Sequence, residues 1–238
     1  MKKTFYSEAA YSCGLAALAL GTALMEAANF GVSMVVAPAY LLYLRLSLLI
    51  PGFTFGMAEY TLQAALLLCM MLLLRRFRLS YLFSFVTALL YGALLDGAMA
   101  LVGLMDASAI AVRCAFYTGG LLLCAIGVSL LFRTYISPEV YELFVKEVSA
   151  RYGVEIHRFK TGYDCVSCLV GVALSFVFFG FGTFRGVKWG TVFCALVNGF
   201  LISRCSAFWD RHCLFRDGLP LRCYFVPAAV SEAHAPQP

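Results

Sequence analysis

Residues 20–33 read LGTALMEAANFGVS, and residues 126–137 read IGVSLLFRTYIS. Both open on an aliphatic residue and Gly, run along an apolar segment, and end at a small-residue turn with Ser. Gly21 aligns with Gly127, and Ser33 with Ser137 after a short gap. A short Pro-containing segment comes after each. Then comes a run that opens with an acidic and an aromatic residue side by side, Glu59-Tyr60 in one half and Tyr163-Asp164 in the other. The last apolar run of each half carries ALLYGALLD (88–96) or ALVNGFLIS (195–203). Each half therefore reads span, short Pro-started segment, span, span.

Three spans is an odd number, so the second copy is expected upside down relative to the first. The reading is one transmembrane domain over residues 1–204, with repeat one at about 9–103 and repeat two at about 110–204. Residues 205–238 are expected to be a cytoplasmic surface segment and a disordered tail. Inverted repeats are a common plan of secondary transporters, whose sites lie near the midplane where helices are broken by Gly or Pro.

Composition points the same way. The chain is 62% hydrophobic and 13% charged, against roughly half and a quarter in a soluble domain. About 20 apolar residues cross the hydrocarbon, and six runs meet that length: roughly 9–30, 58–74, 80–103, 110–132, 164–183 and 188–204. The N-terminal run begins after Lys2 and Lys3 but has no clean small-x-small cleavage site, so it is expected as a retained first span. With six spans, 14 of the Lys and Arg residues fall on the face of the termini and 4 on the other. The positive-inside rule then puts both termini in the cytoplasm. The net charge of +5 is spread between apolar runs and forms no stripe, which argues against a nucleic-acid partner.

Two connecting segments stand out. Residues 34–50, MVVAPAYLLYLRLSLLI, are too interrupted for a span and too apolar for a free loop. Residues 138–151 read as an amphipathic helix, with Ser137 as N-cap and Pro138 in the first turn. Val140, Leu143, Phe144 and Val148 form its apolar face, and Glu142, Lys146 and Glu147 fall among the polar positions. Such segments lie on the membrane or fold partly into it.

Ionisable and amide groups within spans are the candidate substrate or ion ligands. Asp164 leads, beside Tyr163 and Thr161 with Lys160 four residues before it; a helix N-terminal cap is the competing role. Glu59 is its partner in the repeat. Asp96 and Glu26 lie deeper in their runs, with snorkelling to the outer surface as the competing role. Asn198 is either a ligand or interhelical glue. Ser33 and Ser137 complete the set as the two turn residues. Cys165-x-x-Cys168 reads as two small residues at a helix start. His157, His212 and His234 have no partners at metal-ligand spacing, and no nucleophile, zincin or Walker motif occurs. The expectation is therefore no enzyme, no metal and no cofactor.

The turns and the ends of the spans also resemble the YczE/YyaS/YitT-like bacterial integral membrane proteins. The likeness rests on Gly31-Val32-Ser33, Ile136-Ser137-Pro138, Lys160-Thr161-Gly162-Tyr163-Asp164, and Gly190-Thr191-Val192 leading to Ala195, Leu196 and Gly199, and covers most of residues 12–204. Two departures fall in the first turn. Met34 stands where that family tends to have Pro, and the acidic residue that often comes next is missing, whereas Glu139 directly succeeds Pro138 in the second turn. The resemblance implies a multi-span protein of the bacterial cytoplasmic membrane and supplies no substrate. The combined expectation is an all-α protein of six transmembrane helices in two inverted three-helix repeats, with short Pro-started amphipathic or re-entrant segments. Its expected role is a small secondary transporter or permease, dimeric given its size, acting on an unknown small molecule or ion. The alternative is an accessory or substrate-capture subunit that works with a partner.

Overall fold

In hydrocarbon every backbone N–H and C=O must be satisfied within its own segment, so long apolar runs fold as helices. The computed structural model describes residues 3–75, 79–181 and 187–219. The element order is β1 (Lys3–Tyr6), α1 (Ser7–Ala28), α2 (Ala37–Leu46), α3 (Phe55–Leu74), α4 (Leu79–Val102), α5 (Ile110–Leu131), α6 (Val140–Tyr152), α7 (Ile156–Phe179), α8 (Trp189–His212) and β2 (Cys213–Arg216). Among the described residues, six helices (α1, α3, α4, α5, α7 and α8) are long and apolar enough to cross a bilayer. Leu72, Leu101, Leu169, Val177 and Leu196 point outward from them, more than half exposed. A soluble protein would cover such rows; here they face lipid, and the chain is built as a multi-pass membrane protein.

Helices α1 and α5 form the central pair. A Cβ added at Gly21 would lie 2.7 Å from the Gly120 carbonyl oxygen, and one added at Gly127 would lie 2.7 Å from that of Gly14. Only glycine permits this approach, and van der Waals contact between backbones is what joins helices in lipid. Helix α4 packs on α1 and α8 on α5; α3 packs on α4 and α7 on α8.

The two short helices fill opposite ends of the space between α3 and α7. Near α2, Tyr43 stacks on Phe55 at the start of α3 and Tyr40 meets it edge-on, while Ala37 and Leu41 cluster with Val172, Phe178 and Phe179 of α7. Near α6, Val140, Leu143 and Val148 cluster with Leu67, Met70 and Leu74 at the end of α3, and Phe144 meets Phe159 and Tyr163 near the start of α7.

Three boundaries differ from the sequence reading. Helix α6 starts at Val140, and Ser137 does not cap it. Instead the Val140 N–H donates to Gln63 Oε1 of α3 at 3.1 Å, so a side chain from another helix satisfies the exposed N–H. Helix α7 starts at Ile156, eight residues before Asp164: Lys160 finds Glu142 and Asp164 as buried partners, while Arg158 and Thr161 stay exposed on the other side of the same turns. Asp164 is thus a helix-interior residue and no cap. Helix α8 continues to His212, held by Arg133, which pairs with Asp210 at 2.7 Å, and by the Trp209 Nε1–H, which donates to Ser129 Oγ at 3.0 Å.

Both ends of the described chain are joined. Strand β1 pairs with β2 in parallel, Lys3 opposite Cys213. The carboxylate of Glu8 accepts from Tyr135 Oη at 2.6 Å and from the backbone N–H groups of Gly218 and Leu219. At the other end of α1, Arg113 donates to the Ala28 carbonyl at 2.8 Å and Lys188 to that of Asn29 at 3.0 Å. Two of the four cations on the sparse face of the charge count thus cap a helix C-terminus, where the macrodipole favours them.

Candidate functional site: a buried carboxyl junction

Glu59 and Gln63 lie one turn apart on the same face of α3, and that face meets the start of α6. Both are fully buried. Gln63 Nε2 donates to Glu59 Oε2 at 3.4 Å and to Glu139 Oε2 at 3.3 Å. Tyr141 Oη donates to Glu59 Oε2 at 3.0 Å. Gln63 therefore uses both ends of its amide, bridging two carboxyl groups with its NH₂ and capping α6 with its oxygen. The remaining oxygens, Glu59 Oε1 and Glu139 Oε1, are buried without a hydrogen-bond partner. A buried polar atom left this way costs about 1–3 kcal/mol, which marks a place where structure yields to something else.

The same helix α6 turns a third carboxyl the other way. Glu142 is 4% exposed and accepts from Lys160 Nζ of α7 at 3.4 Å. Lys160 also lies 3.3 Å from Asp164 Oδ1, at ion-pair distance but out of hydrogen-bond alignment. Two carboxyl groups, Glu142 and Asp164, thus share one ammonium. Burial pushes the Glu139 carboxyl well above the ordinary carboxylate range; Glu142 and Glu59 add to this, and Gln63 and Lys160 act against it. Burial likewise raises the Tyr141 phenol, with Glu59 adding, so that hydroxyl stays a donor.

Hydroxyl groups of α4 close the junction from behind. Ser84 donates to the Pro138 carbonyl, and Thr87 to that of Ser137 at 3.0 Å. In the other half Thr191 Oγ1 donates to the Val32 carbonyl at 2.8 Å. Each Pro-associated turn is thus held by a hydroxyl on a spanning helix, α4 or α8. The two turns differ in charge: where Glu139 and Glu142 stand in the second, Val35 and Pro38 stand in the first.

Of the residues singled out from sequence, Glu59 and Asp164 sit in this junction, and Ser137 lies at its edge through its carbonyl. Ser33 is buried, with its hydroxyl 3.7 Å from Met34 Sδ. Asn198 is buried, and its Oδ1 has no hydrogen-bond partner. Thr161 is exposed. Asp96 accepts from Thr54 Oγ1 at 2.7 Å and from the Gly56 N–H at 2.8 Å, which ties α4 to the start of α3. Glu26 accepts from Tyr40 Oη at 3.1 Å. Gln63 and Tyr141 do not figure in the sequence reading, and Glu139, Glu142 and Lys160 figure there only as neighbours of the candidates and not among them. Their signal was spacing: Glu59/Gln63 and Lys160/Asp164 at i,i+4, and Glu139/Glu142 at i,i+3. Among the described residues, no three His, Cys, Asp or Glu side chains come together as a metal ion requires.

Two clefts open among the described residues. One of about 420 Å³ opens between α3 and α7, with Tyr141, Phe144 and Tyr163 at one end. Another, of about 460 Å³, lies where α1, α5 and α8 meet, beside Tyr117, Lys188 and Trp189; none of the junction's carboxyl groups lines it.

The model of a family of unknown function, DUF6198, matches residues 5–207. No curated protein matches the chain, and no solved structure does.

Proposed function

From the premise that the chain belongs to that family of unknown function, DUF6198, we propose that it is a small secondary transporter of the bacterial cytoplasmic membrane. Its working site is the Glu59–Gln63–Glu139–Tyr141 junction. The observation that carries the reading is that α3 of the first half and α6 of the second share fully buried, incompletely paired carboxyl groups. Ionisable groups in a membrane interior are costly, and they mark ion and substrate paths.

The repeat belongs to this reading. The alignment that sets Gly21 with Gly127 also sets Gly14 with Gly120. The close contacts Gly14–Gly127 and Gly21–Gly120 then exchange with one another, as a two-fold axis in the membrane plane requires. The positions of α2 and α6 at opposite ends of α3 and α7 support the same relation. Rocking of one half against the other would expose the junction alternately to each side. The lysine and arginine asymmetry supports cytoplasmic termini, and the short turn motifs support the narrower likeness to the YczE/YyaS/YitT-like proteins. On this reading the protein catalyses no covalent step and works with lipid around it, as a dimer.

The test is a thermal-shift screen of the purified protein against metabolites and ions, and then uptake of each hit into liposomes. A ligand of the folded state adds about 2.7 kcal/mol at a hundredfold excess over its Kd. Hits that accumulate in liposomes with the wild type, and not with Glu59→Gln, support transport. Tight binding without uptake would assign the chain to substrate capture with a partner. No binding and no uptake by folded protein would leave an accessory role.

A further inference from the structure

The cleft between α3 and α7 has a build that the transporter reading leaves unused. Leu62 and Leu66 of α3 and Val166 and Val170 of α7 form its sides. Val166 is 58% and Val170 44% exposed, so this rim stands open to the acyl chains and not to water. At its inner end three aromatic rings come together. Phe144 and Tyr163 have centroids 5.5 Å apart, and Tyr141 lies beside them with its hydroxyl on Glu59.

Directly behind those rings lies the acidic junction. Tyr141 leads to Glu59 and Glu139, each with one buried, unpartnered oxygen. Lys160 Nζ sits 5.7 Å from the Tyr163 ring centroid, and its one positive charge is shared by two carboxyl groups, Glu142 and Asp164. The cleft thus combines an apolar rim, aromatic walls and, behind them, more carboxyl groups than ammonium groups. Aromatic faces attract cations, most strongly where water is excluded, and aromatic cages recognise quaternary ammonium groups in this way. An anion would meet like charge. A bare metal ion would need several oxygen ligands that the aromatic walls lack.

We propose that this cleft is a binding site, reached from the bilayer, for a lipophilic organic cation: an apolar body between α3 and α7 and an onium head against Tyr141, Phe144 and Tyr163. The inference names a substrate class for the junction and rests on the transport reading only for the fate of the cation after binding. The volume of about 420 Å³ falls in the range of small-molecule sites, and the open rim leaves room for a larger body to project into lipid.

The experiment titrates tritiated tetraphenylphosphonium onto the full chain in palmitoyl-oleoyl phosphatidylcholine nanodiscs, with empty discs subtracted. Tetraphenylborate, of the same shape and opposite charge, is the control. The expected result is saturable binding of the cation and none of the anion. Val170→Trp, which fills the cleft without touching a carboxyl group, should weaken binding at least tenfold. Ala65→Trp on the opposite wall serves if that variant does not fold. Tyr163→Leu and Glu59→Gln should weaken it as well. Cation binding no greater than to empty discs, equal saturable binding of the anion, or affinity unchanged in the folded Trp variants would each overturn the proposal; the second outcome would make the cleft a seat for acyl chains. Transport is not read here. Binding without uptake would sink the transporter reading alone, and uptake of another solute without phosphonium binding would sink this one alone.

Discussion

Tyr141 donates its hydroxyl to Glu59 Oε2 across 3.0 Å, and the bond joins the fifth residue of one spanning helix to the second residue of a short helix from the other half. Both partners are almost entirely buried. Tyr141→Phe removes the donor and leaves that oxygen with the longer bond from Gln63 alone. The expected cost is about 0.5–1.5 kcal/mol, the net worth of one hydrogen bond lost from an acceptor that keeps another. It is read as a shift in unfolding free energy in micelles. In a Glu59→Leu background the same change should cost less, giving a coupling of at least about 0.5 kcal/mol. A coupling of zero would show that the two residues do not act on one another.

Glu139 supplies a pH dependence of known sign. It lies at the start of α6, outside the spanning helices, and burial holds its carboxyl above the ordinary range. The groups around it are Tyr11 of α1, Glu59 of α3, Tyr91 of α4, Cys124 of α5, Glu142 on its own helix and Lys160 of α7. The folded protein keeps this proton at pH values where the unfolded chain has lost it. The folded state then binds more protons, so stability falls as pH rises from the ordinary carboxylate range toward the raised value. Glu139→Gln should flatten this slope. Unfolding measured between about pH 5 and pH 8 tests it, and a parallel slope in the variant would place the titration on another group.

The spans were legible because hydrocarbon imposes one solution on about 20 apolar residues. The runs read at 110–132 and 80–103 correspond to α5 and α4 within a residue or two. The polar first two turns of α7 were not legible, since a segment such as IHRFKTGY looks like a loop until Lys160 is seen between Glu142 and Asp164. For the same reason Glu142 reads as a solvated position on an amphipathic helix and is in fact buried. Glu59 and Asp164 could be picked out as charges within spans; Gln63 could not, because its role as bridge and cap depends on a helix some 77 residues away.

The glycines between α1 and α5 give a contrast within one helix pair. A side chain at Gly21 would press on the Gly120 carbonyl and on Cys124, whereas one at Gly119 meets open space. Gly21→Val should destabilise the protein by about 1–3 kcal/mol through overpacking or prevent its accumulation in the membrane. Gly119→Val should be tolerated. Expression and thermal unfolding of the two variants side by side decide this. Equal behaviour would mean that α1 and α5 do not approach as closely as their glycines permit.

Among the described residues of the junction, Lys160 is the cation shared by the buried carboxyl groups of Glu142 and Asp164, with 10% of its side chain exposed. Its removal tests whether the ion pairs hold α6 to α7 or only tolerate each other. Lys160→Met keeps the aliphatic stem and leaves Glu142 and Asp164 without their counter-ion. Breaking a buried pair from one side costs about 3–5 kcal/mol, while replacing all partners with uncharged groups of similar shape is often neutral. The triple variant Lys160→Met, Glu142→Gln, Asp164→Asn should therefore recover most of what the single change loses. Unfolding free energies of wild type, single and triple variants in the same micelles give the comparison. Recovery would identify the network as a device kept for charge and not for stability, which is what a working site requires. A triple variant as unstable as the single one would instead make these ion pairs the fastening between the two helices, with the carboxyl groups of α3 and the start of α6 left to carry function.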